Sequence, residues 1–234
     1  DCINLPGSMP EKLKGDEVTA KTQWTGSLYD SSYYYNPYME KYRKEGNIKF
    51  PFFLTPDKHY VGAAWYQKEV NIPADWKGER ILLFLERPHI ETTVWVNGQK
   101  TGMQNSLCVP HQYDITRYVR PGKCTITIRV DNRIKEINVG PDSHSITDQT
   151  QGNWNGIVGR ICLQTTPKTY FDDIQIYPEP EQKLARVKVV IKGAGITKIK
   201  LSAESFNTDK KHIVPAIQQE IKLNKGVTET EMVL

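Results

Sequence analysis

A strict two-residue alternation over residues 124–131 is the feature of this sequence that most constrains its fold. Successive side chains of an extended strand point to opposite faces, so this strand has one apolar face and one polar face. The apolar members are Cys124, Ile126, Ile128 and Val130, and the polar members are Thr125, Thr127, Arg129 and Asp131. The pattern predicts a strand in a sheet that lies with one face on a hydrophobic core.

Other short apolar runs, separated by turn residues, predict more strands. Residues 80–86 are apolar on both faces, which predicts a central buried strand, and residues 64–72 form a run that Pro73 ends. Asn97-Gly98 predicts a hairpin between 92–96 and 99–103, because both turn residues adopt positive φ readily. Further strands are predicted at 157–164, 170–177, 186–192 and 196–206. Helical periodicity is confined to one or two turns within 37–44, so the predicted class is all-β.

Chain length and the position of the last strands predict two domains. A chain of 234 residues accommodates one large β domain or two smaller ones. A new unit begins near Thr169, so we expect one domain over 1–168 and another over 169–234. The second is shorter than the roughly 100 residues of an immunoglobulin-type sandwich. Because its last residues, Met232-Val233-Leu234, have the pattern of a strand, we expect this domain to be incomplete at its C-terminal end.

Charge and hydrophobicity narrow the class of partner. The formal net charge is +4 and no block of basic residues occurs, so nothing indicates binding to nucleic acid or to an anionic membrane. A bilayer span needs about 18 or more consecutive apolar residues, and the sequence has no such run. We therefore expect no nucleic-acid partner and no membrane span.

The cysteines do not indicate a metal site. Cys2, Cys108, Cys124 and Cys162 allow three complete disulfide pairings, and none is part of a Cys-x-x-Cys motif or has a histidine at ligand spacing. Cys124 and Cys162 lie in apolar strand-like runs, which predicts buried thiols. The cysteine count leaves the cellular compartment open.

Six motifs follow one another in a fixed order through the first predicted domain. They are Trp65-Tyr66, Ile72-Pro73-Ala74-Asp75-Trp76-Lys77-Gly78-Glu79-Arg80, Val94-Trp95-Val96-Asn97-Gly98, Tyr113-Asp114-Ile115-Thr116, Arg129-Val130-Asp131-Asn132 and Asn153-Trp154-Asn155-Gly156-Ile157. Their order and spacing resemble the N-terminal sugar-binding domain of glycoside hydrolase family 2, the family of β-galactosidases, β-glucuronidases and β-mannosidases. The segments 5–11 and 142–156 resemble Bacteroides-type members. Beyond Thr169 only position and β character match the family.

The resemblance implies an architecture and a role for this chain. It implies a jelly-roll sugar-binding domain, then an immunoglobulin-like β-sandwich, then a catalytic barrel that carries both catalytic glutamates and is not part of this sequence. We therefore expect the non-catalytic N-terminal region of a retaining β-glycosidase, most similar to a β-galactosidase, which supports the barrel of the same polypeptide and contributes loops to its sugar pocket. A periplasmic or secreted bacterial protein of carbohydrate metabolism is implied as well.

Two loops carry the residues that the resemblance assigns to the sugar. Asn47-Ile48-Lys49-Phe50-Pro51 resembles a family loop that reaches the barrel's pocket, and Asp148-Gln149 resembles a second loop that lies eight residues before Gly156-Ile157. Carried over by position, Asn47 would hydrogen-bond sugar hydroxyls. Asp148 would bind the galactosyl 6-hydroxyl or help to hold a sodium ion beside it. Amide and carboxylate groups suit sugar hydroxyls, and a hard cation prefers oxygen ligands.

Structural alternatives stand beside both assignments. Asn47 follows Gly46 and is equally typical of a turn, and Asp148 is equally typical of an aspartate that bonds backbone amides of its own loop. Trp154 and Asn155 complete the substrate-binding candidates, and they lie in a stretch that departs from the galactosidase pattern. Packing is the alternative for Trp154, and for Trp65 and Trp95 within their strands we expect core positions.

No residues of this chain are predicted to be catalytic. Glycoside hydrolysis generally needs two carboxyl groups about 5 to 10 Å apart on the scissile bond. Asp172 and Asp173 are adjacent on a strand and should point to opposite faces, and Glu229 and Glu231 lie beside a chain end without a surrounding pocket. The Ser, His and Asp of 142–148 lack the Gly-x-Ser-x-Gly elbow of a nucleophilic triad.

Two other functions remain open at this point. Jelly rolls also serve as autonomous carbohydrate-binding modules, which would bind oligosaccharides through an aromatic surface without any barrel. An adhesion sandwich with no sugar role would bind a protein partner instead.

Overall fold

The computed structural model describes residues 2–26, 32–49, 55–107, 109–135, 142–144, 147–148, 152–204 and 213–234. Strands make up most of the regular structure in these ranges, and the helices are short. The helices are α1 at Ser32–Tyr35 and four 3-10 helices at Pro37–Tyr42, Ala74–Trp76, Thr116–Tyr118 and Pro180–Gln182. No helix within these ranges has the length and apolar character needed to cross a membrane. The predicted all-β class is confirmed.

The chain divides into two compact units, Asp1–Gln164 and Thr165–Leu234. The first unit contains the strands β1 Gly7–Ser8, β2 Asp16–Glu17, β3 Lys58–His59, β4 Ala63–Ile72, β5 Arg80–Leu85, β6 Pro88–His89, β7 Glu91–Val96, β8 Gln99–Asn105, β9 His111–Asp114, β10 Gly122–Asp131, β11 Gly156–Ile157 and most of β12 Ile161–Thr166. The second unit contains β13 Tyr170–Glu179, β14 Leu184–Glu204 and β15 Ile213–Val233.

The first unit is a sandwich whose two main sheets share one core. One sheet has the strand order β4-β10-β7-β8 and the other β12-β5-β9. Val94 and Ile128 of the first sheet and Leu83 and Leu85 of the second belong to the same buried cluster. A small third sheet, β1-β11-β6, and the pair β2-β3 complete this unit. Burial of apolar area between the sheets is the main stabilising contribution here.

The alternation that predicts β10 is confirmed on its apolar side. Cys124, Ile126, Ile128 and Val130 are all buried. On the polar side Asp131 bonds Arg129 of the same face, as the alternation predicts, but the residue is fully buried. Arg129, Arg133 and Lys135 lie within 2.5, 2.6 and 2.9 Å of its Oδ2 atom. Burial by itself would raise the pKa of the Asp131 carboxyl, but hydrogen bonds from Arg133 and Lys135 outweigh it and hold the pKa well below its usual range.

The predicted hairpin is confirmed by the turn between β7 and β8. Asn97 and Gly98 have φ values of 49° and 79°, the left-handed region that this turn requires. The Asn97 Oδ1 atom also accepts a hydrogen bond from the Thr125 N–H at 2.9 Å, which ties the turn to the neighbouring strand β10.

Three strand boundaries differ from the predictions. The strand expected at 157–164 is divided into β11 and β12, since Gly159 has a φ of 97° and a Cβ there would lie 2.9 Å from a Glu86 carboxylate oxygen. Pro178 lies inside β13, where an edge strand tolerates the missing N–H. The two strands expected after it form one strand, β14, with a register irregularity at Gly193/Gly195.

Trp65 contradicts its predicted core position. It is 61% exposed, and Trp95 is half-buried. In the antiparallel register of β4 and β10, Trp65 lies opposite Arg129, a member of the outward-facing set of β10. Trp65 therefore lies on the outer face of its sheet, where the alternation of β10 places polar side chains.

Three of the four cysteines are free thiols. Cys124 is buried, Cys162 is half-buried and Cys2 is exposed, while Cys108 lies outside the described residues. Burial raises the pKa of the Cys124 thiol. The prediction of a buried thiol is confirmed for Cys124.

The second unit forms one antiparallel sheet of order β13-β14-β15. Its core contains Val187, Val189, Ile191, Ile199, Ile221, Leu223 and Met232, with Leu201 and Ile217 packed against them. The immunoglobulin-like assignment rests on the family resemblance. The sheet itself shows only that this unit is composed of β-strands.

Candidate functional site

Asp148 lies at the centre of a buried polar contact between two distant segments. Its side chain is 1% exposed, and its Oδ2 atom accepts a hydrogen bond from the Thr25 N–H at 2.6 Å. Oδ1 accepts a second hydrogen bond from the Asn153 N–H. The Asp148 N–H in turn donates to the Thr25 carbonyl oxygen at 3.1 Å. The carboxylate therefore bonds two backbone amides, as in the structural alternative for this residue.

Three buried asparagines extend this contact toward the sandwich core. We call Asn132, Asn153 and Asn155 the asparagine cluster; all three are buried. The Asn132 Nδ2 atom donates to Asn153 Oδ1 at 3.1 Å, and Asn153 Nδ2 donates to the Asn132 carbonyl oxygen at 3.1 Å. Asn153 Nδ2 also donates to Thr25 Oγ1 at 3.1 Å. Each amide therefore joins a loop to the end of strand β10.

Asn155 uses both ends of its side-chain amide inside the protein. Its Nδ2 atom donates to the carbonyl oxygens of Gly62 and Val130, each at 2.9 Å. Its Oδ1 atom accepts a hydrogen bond from the Tyr66 hydroxyl at 3.0 Å. Because Asn155 is fully buried, these contacts satisfy groups that would otherwise be unpaired in the core. Its position favours a structural role, and a direct role toward sugar stays a prediction.

Two histidines border the buried Asp148. The His89 ring stacks on Trp154, with ring centroids 4.6 Å apart and an interplanar angle of 21°. Burial lowers the pKa of His89 to about 4, although a hydrogen bond with Asn153 and the charge of Asp148 act in the opposite direction. Trp154 is half-buried, so its contact with His89 supports the packing alternative.

His59 is the second of these histidines. Its Nε2 atom lies 3.9 Å from Asp148 Oδ2 and has no hydrogen-bond partner among the described residues. The Trp24 ring meets the His59 ring edge-on at 4.8 Å. Sequence spacing does not group His59 with Asp148, since 89 positions separate them in the chain.

Asn47 lies in a different environment. Its side chain is exposed, and it closes a turn in which its N–H donates to the Lys44 carbonyl oxygen at 3.0 Å. Its Nδ2 atom donates to the Lys41 carbonyl oxygen at 2.9 Å. The amide oxygen accepts no hydrogen bond from the part of the chain that the structure describes. Phe50-Pro51 of the same motif, and Gln149 of the second motif, lie outside the described residues.

The structure thus brings together three of the four candidates. Asp148, Asn155 and Trp154 all lie within or against the network of the asparagine cluster, whereas the hydrogen bonds of Asn47 stay within its own segment. Asn132, Thr25 and His89 belong to the network but were not predicted. For Asn132 a signal exists: it is a polar residue directly after a strand whose inward positions are apolar.

The acidic pairs considered for catalysis have local partners. Asp172 lies 2.8 Å from Lys192, and Asp173 accepts a hydrogen bond from Gln175 at 2.8 Å. Glu231 lies 2.6 Å from Arg186. A surface depression of about 450 Å³ is lined by Thr101, Asp114, Thr116, Arg117 and Tyr118. It contains none of the sugar-binding candidates.

Comparison with known proteins gives a family match. The family described as "Glycosyl hydrolases family 2, sugar binding domain" matches residues 14–167. Human β-glucuronidase is 28% identical over 168 residues, which cover 62% of this chain and 26% of that protein. A β-galactosidase of Thermoanaerobacter pseudethanolicus is 24% identical over 197 residues, covering 78% of this chain and 26% of that protein.

A solved structure shows the same fold over nearly the whole chain. It is a glycosyl hydrolase family 2 member from Bacteroides cellulosilyticus, with a TM-score of 0.61 and 18% identity. The alignment covers 99% of this chain and 27% of that one. This chain therefore spans about a quarter of the length of the relatives that it matches.

Proposed function

Because the chain belongs to the sugar-binding domains of glycosyl hydrolase family 2, we propose that it is the non-catalytic N-terminal region of a longer, retaining β-glycosidase. In this proposal the bond-breaking carboxyl groups lie on a catalytic barrel of the same polypeptide. The region described here supports that barrel and contributes two loops to its sugar pocket. A periplasmic or secreted location in a bacterium is part of the proposal.

The relative lengths support a role within a larger enzyme. The matched β-glucuronidase and β-galactosidase are glycosidases of which this chain covers 26% each. Asp172, Asp173 and Glu231 of the second unit are bonded to neighbouring side chains, which argues against catalysis by these residues. Glu229 and Glu231 both line a surface depression of about 340 Å³, so the expectation that no pocket surrounds them is wrong. Bond cleavage in the longer protein is therefore assigned to residues outside this chain.

One observation carries the assignment of a pocket loop: the two carboxylate oxygens of the buried Asp148 accept the N–H of the distant Thr25 and the N–H of Asn153 in the same loop. Such bonds fix a loop in one conformation, and pocket loops must be held within a fraction of an ångström to orient a sugar. We infer that Asp148 positions its loop, with the asparagine cluster beneath it. Asn47, whose side chain is exposed and whose amide oxygen accepts no hydrogen bond from the described residues, is proposed to contact the sugar directly.

A β-galactoside is the proposed substrate, and a β-glucuronide is the second candidate. The loop motifs at Asn47 and Asp148 resemble those of β-galactosidases, which favours the galactoside. Human β-glucuronidase is among the relatives, which favours the glucuronide. The two sugars differ at C6, which bears a hydroxyl in one and a carboxylate in the other, so an activity ratio distinguishes them.

Steady-state kinetics of the complete enzyme test the proposal. Asn47→Ala should lower kcat/KM for an aryl β-galactoside about tenfold or more, the effect of losing one sugar contact of about 1.4 kcal/mol. Asn71→Ala is the matched control, because Asn71 is also exposed but lies on β4. Unchanged kcat/KM in Asn47→Ala, or turnover by the purified 234-residue chain, would contradict the proposal. A higher kcat/KM for the aryl β-glucuronide would reassign the substrate.

A sodium ion beside Asp148 stays a prediction. Both oxygens of Asp148 accept an N–H, and the described residues contain no group of three or more His, Cys, Asp or Glu side chains that could hold a metal. No step of the proposed function depends on the ion.

A further inference from the structure

Two tryptophans form an exposed aromatic surface on the first unit. Trp65 of β4 and Trp95 of β7 lie on either side of β10, and their ring centroids are 5.0 Å apart with an interplanar angle of 33°. We call this pair the tryptophan platform. Trp65 is 61% exposed although its strand belongs to a well-ordered sheet with a complete core on its other face. An exposed tryptophan ring does not provide the stabilisation that burial of its apolar surface usually contributes.

Polar, hydrogen-bonding side chains surround the platform. In the sheet register Trp95 lies opposite Thr127, which in turn lies opposite Gln67. Gln67 Nε2 donates to Thr127 Oγ1 at 2.9 Å, so these side chains are held beside the rings. Lys100 lies opposite Trp95 on the other side and is exposed. The platform therefore combines an aromatic ring with donors and acceptors on the same face.

The charged groups of the Arg129 network near the platform are held in ion pairs. Arg129, opposite Trp65, donates to Glu91 at 2.9 Å and to Asp131 at 2.5 Å. Lys135 also lies within 3.1 Å of Glu91 and 2.9 Å of Asp131. Because the guanidinium is held by two carboxylates, an anionic ligand would have to compete with them there. Lys100 is exposed and is not a member of these ion pairs, so the preference for an uncharged ligand is tested below against an anionic polysaccharide.

We propose that the tryptophan platform binds a neutral glycan, at a site separate from the pocket loops of Asn47 and Asp148. The C–H face of a pyranose ring is apolar and stacks on an aromatic ring, while the hydroxyls at the ring edge need donors and acceptors such as Gln67, Thr127 and Lys100. A protein surface is the alternative occupant, and Thr127 and the Arg129 ion pairs interrupt the apolar area that it would cover.

Binding of soluble polysaccharides to the 234-residue chain tests this site. The probes are a panel of neutral polysaccharides, with a β-galactan first, and polygalacturonate as the anionic comparison; calorimetry and affinity electrophoresis give the dissociation constants. Trp65→Ala should weaken binding of a neutral glycan about tenfold or more, and Trp65→Phe should retain most of it, because stacking needs an aromatic ring. Binding should also change the tryptophan fluorescence.

Phe171→Ala is the matched control, since Phe171 is also exposed on a strand but belongs to the second unit. Its binding should equal that of the unchanged chain. Absence of binding across the neutral panel at millimolar sugar, equal binding by Trp65→Ala, or binding of polygalacturonate alone would each overturn the proposal. So would self-association of the chain that Trp65→Ala abolishes. Failure here leaves the Asn47 kinetics unaffected, because the two tests use different residues and different readouts.

Discussion

Asn155 and Asn47 are both asparagines predicted to contact sugar, yet the structure places them in opposite environments. Asn155 is buried, and both ends of its side-chain amide are bonded within the fold. Asn47 is exposed on a turn, and its side chain makes one hydrogen bond among the described residues. The difference shows that a residue of a sugar-binding motif can serve the pocket in two ways, by contacting the ligand or by holding the loops that do. Four predictions test this distinction.

The largest expected effect is the loss of stability in Asn155→Ala. The substitution leaves the carbonyl oxygens of Gly62 and Val130 and the hydroxyl of Tyr66 without their buried partner. We expect the free energy of unfolding to fall by about 3 kcal/mol. Urea unfolding followed by tryptophan fluorescence measures it for the first unit alone, because all five tryptophans precede residue 165.

The exposed Asn71 is again the control, and Asn71→Ala should change the free energy of unfolding by less than about 0.5 kcal/mol. A comparably small change in Asn155→Ala would show that the asparagine cluster does not hold the loops, and the distinction between the two asparagines would fail.

The next effect concerns pH. Burial lowers the pKa of His89 to about 4, so the folded protein keeps this ring neutral, while the unfolded chain takes up a proton near pH 6.5. The unfolded state therefore binds more protons between these values, and stability must fall as the pH decreases from about 7 to about 4. The shift corresponds to about 3 kcal/mol.

In His89→Gln most of this pH dependence should disappear, while His144→Gln, a change at an exposed histidine, should leave it intact. Part should remain in His89→Gln, because burial also lowers the pKa of His111. Carboxylates with lowered pKa, such as Asp131, affect stability below this window. An unaltered slope between pH 4 and 7 in His89→Gln would show that His89 is accessible to protons in the folded state.

A smaller loss of stability is expected in Asp148→Asn. One of the two carboxylate oxygens becomes an NH₂ group, which cannot accept the N–H of Thr25 or Asn153. We expect a loss of about 2 kcal/mol in the same urea assay. Asp75→Asn, at an exposed aspartate in a 3-10 helix, should be nearly neutral. If both variants behave alike, Asp148 does not position its loop.

The smallest effect on stability is expected in Asn47→Ala, the variant with the largest proposed kinetic effect. Its side chain makes one described hydrogen bond at the surface, so the loss should stay below about 0.5 kcal/mol. Thermal unfolding of the 234-residue chain checks this value. A loss as large as that of Asn155→Ala would place both asparagines in one structural class and remove the basis for the comparison.

Much of the sandwich was predictable because its strands have local signatures. The inward set of β10 and the Asn97-Gly98 hairpin follow from side-chain alternation and from backbone preferences of single residues. Strand β13 extends beyond the predicted end at residue 177 and includes Pro178. A proline ends a strand only where its N–H would be needed, and β13 is an edge strand. The predicted core position of Trp65 is wrong because hydrophobicity indicates burial only statistically. Trp65 lies opposite Arg129 in the sheet and therefore on the outer face.

The all-β class, the turn of the central hairpin and the family follow from the sequence, since these depend on local patterns and on the order of motifs. The bulge between Val94 and Trp95 and the burial of particular motif residues depend on contacts in the folded chain. Thr25 forms hydrogen bonds with Asp148 and with Asn153. The sequence separation of Thr25 and Asp148 is 123 residues. Polar side chains carry no mark of burial in the sequence, because a hydrogen bond to water and one to a distant backbone amide use the same atoms.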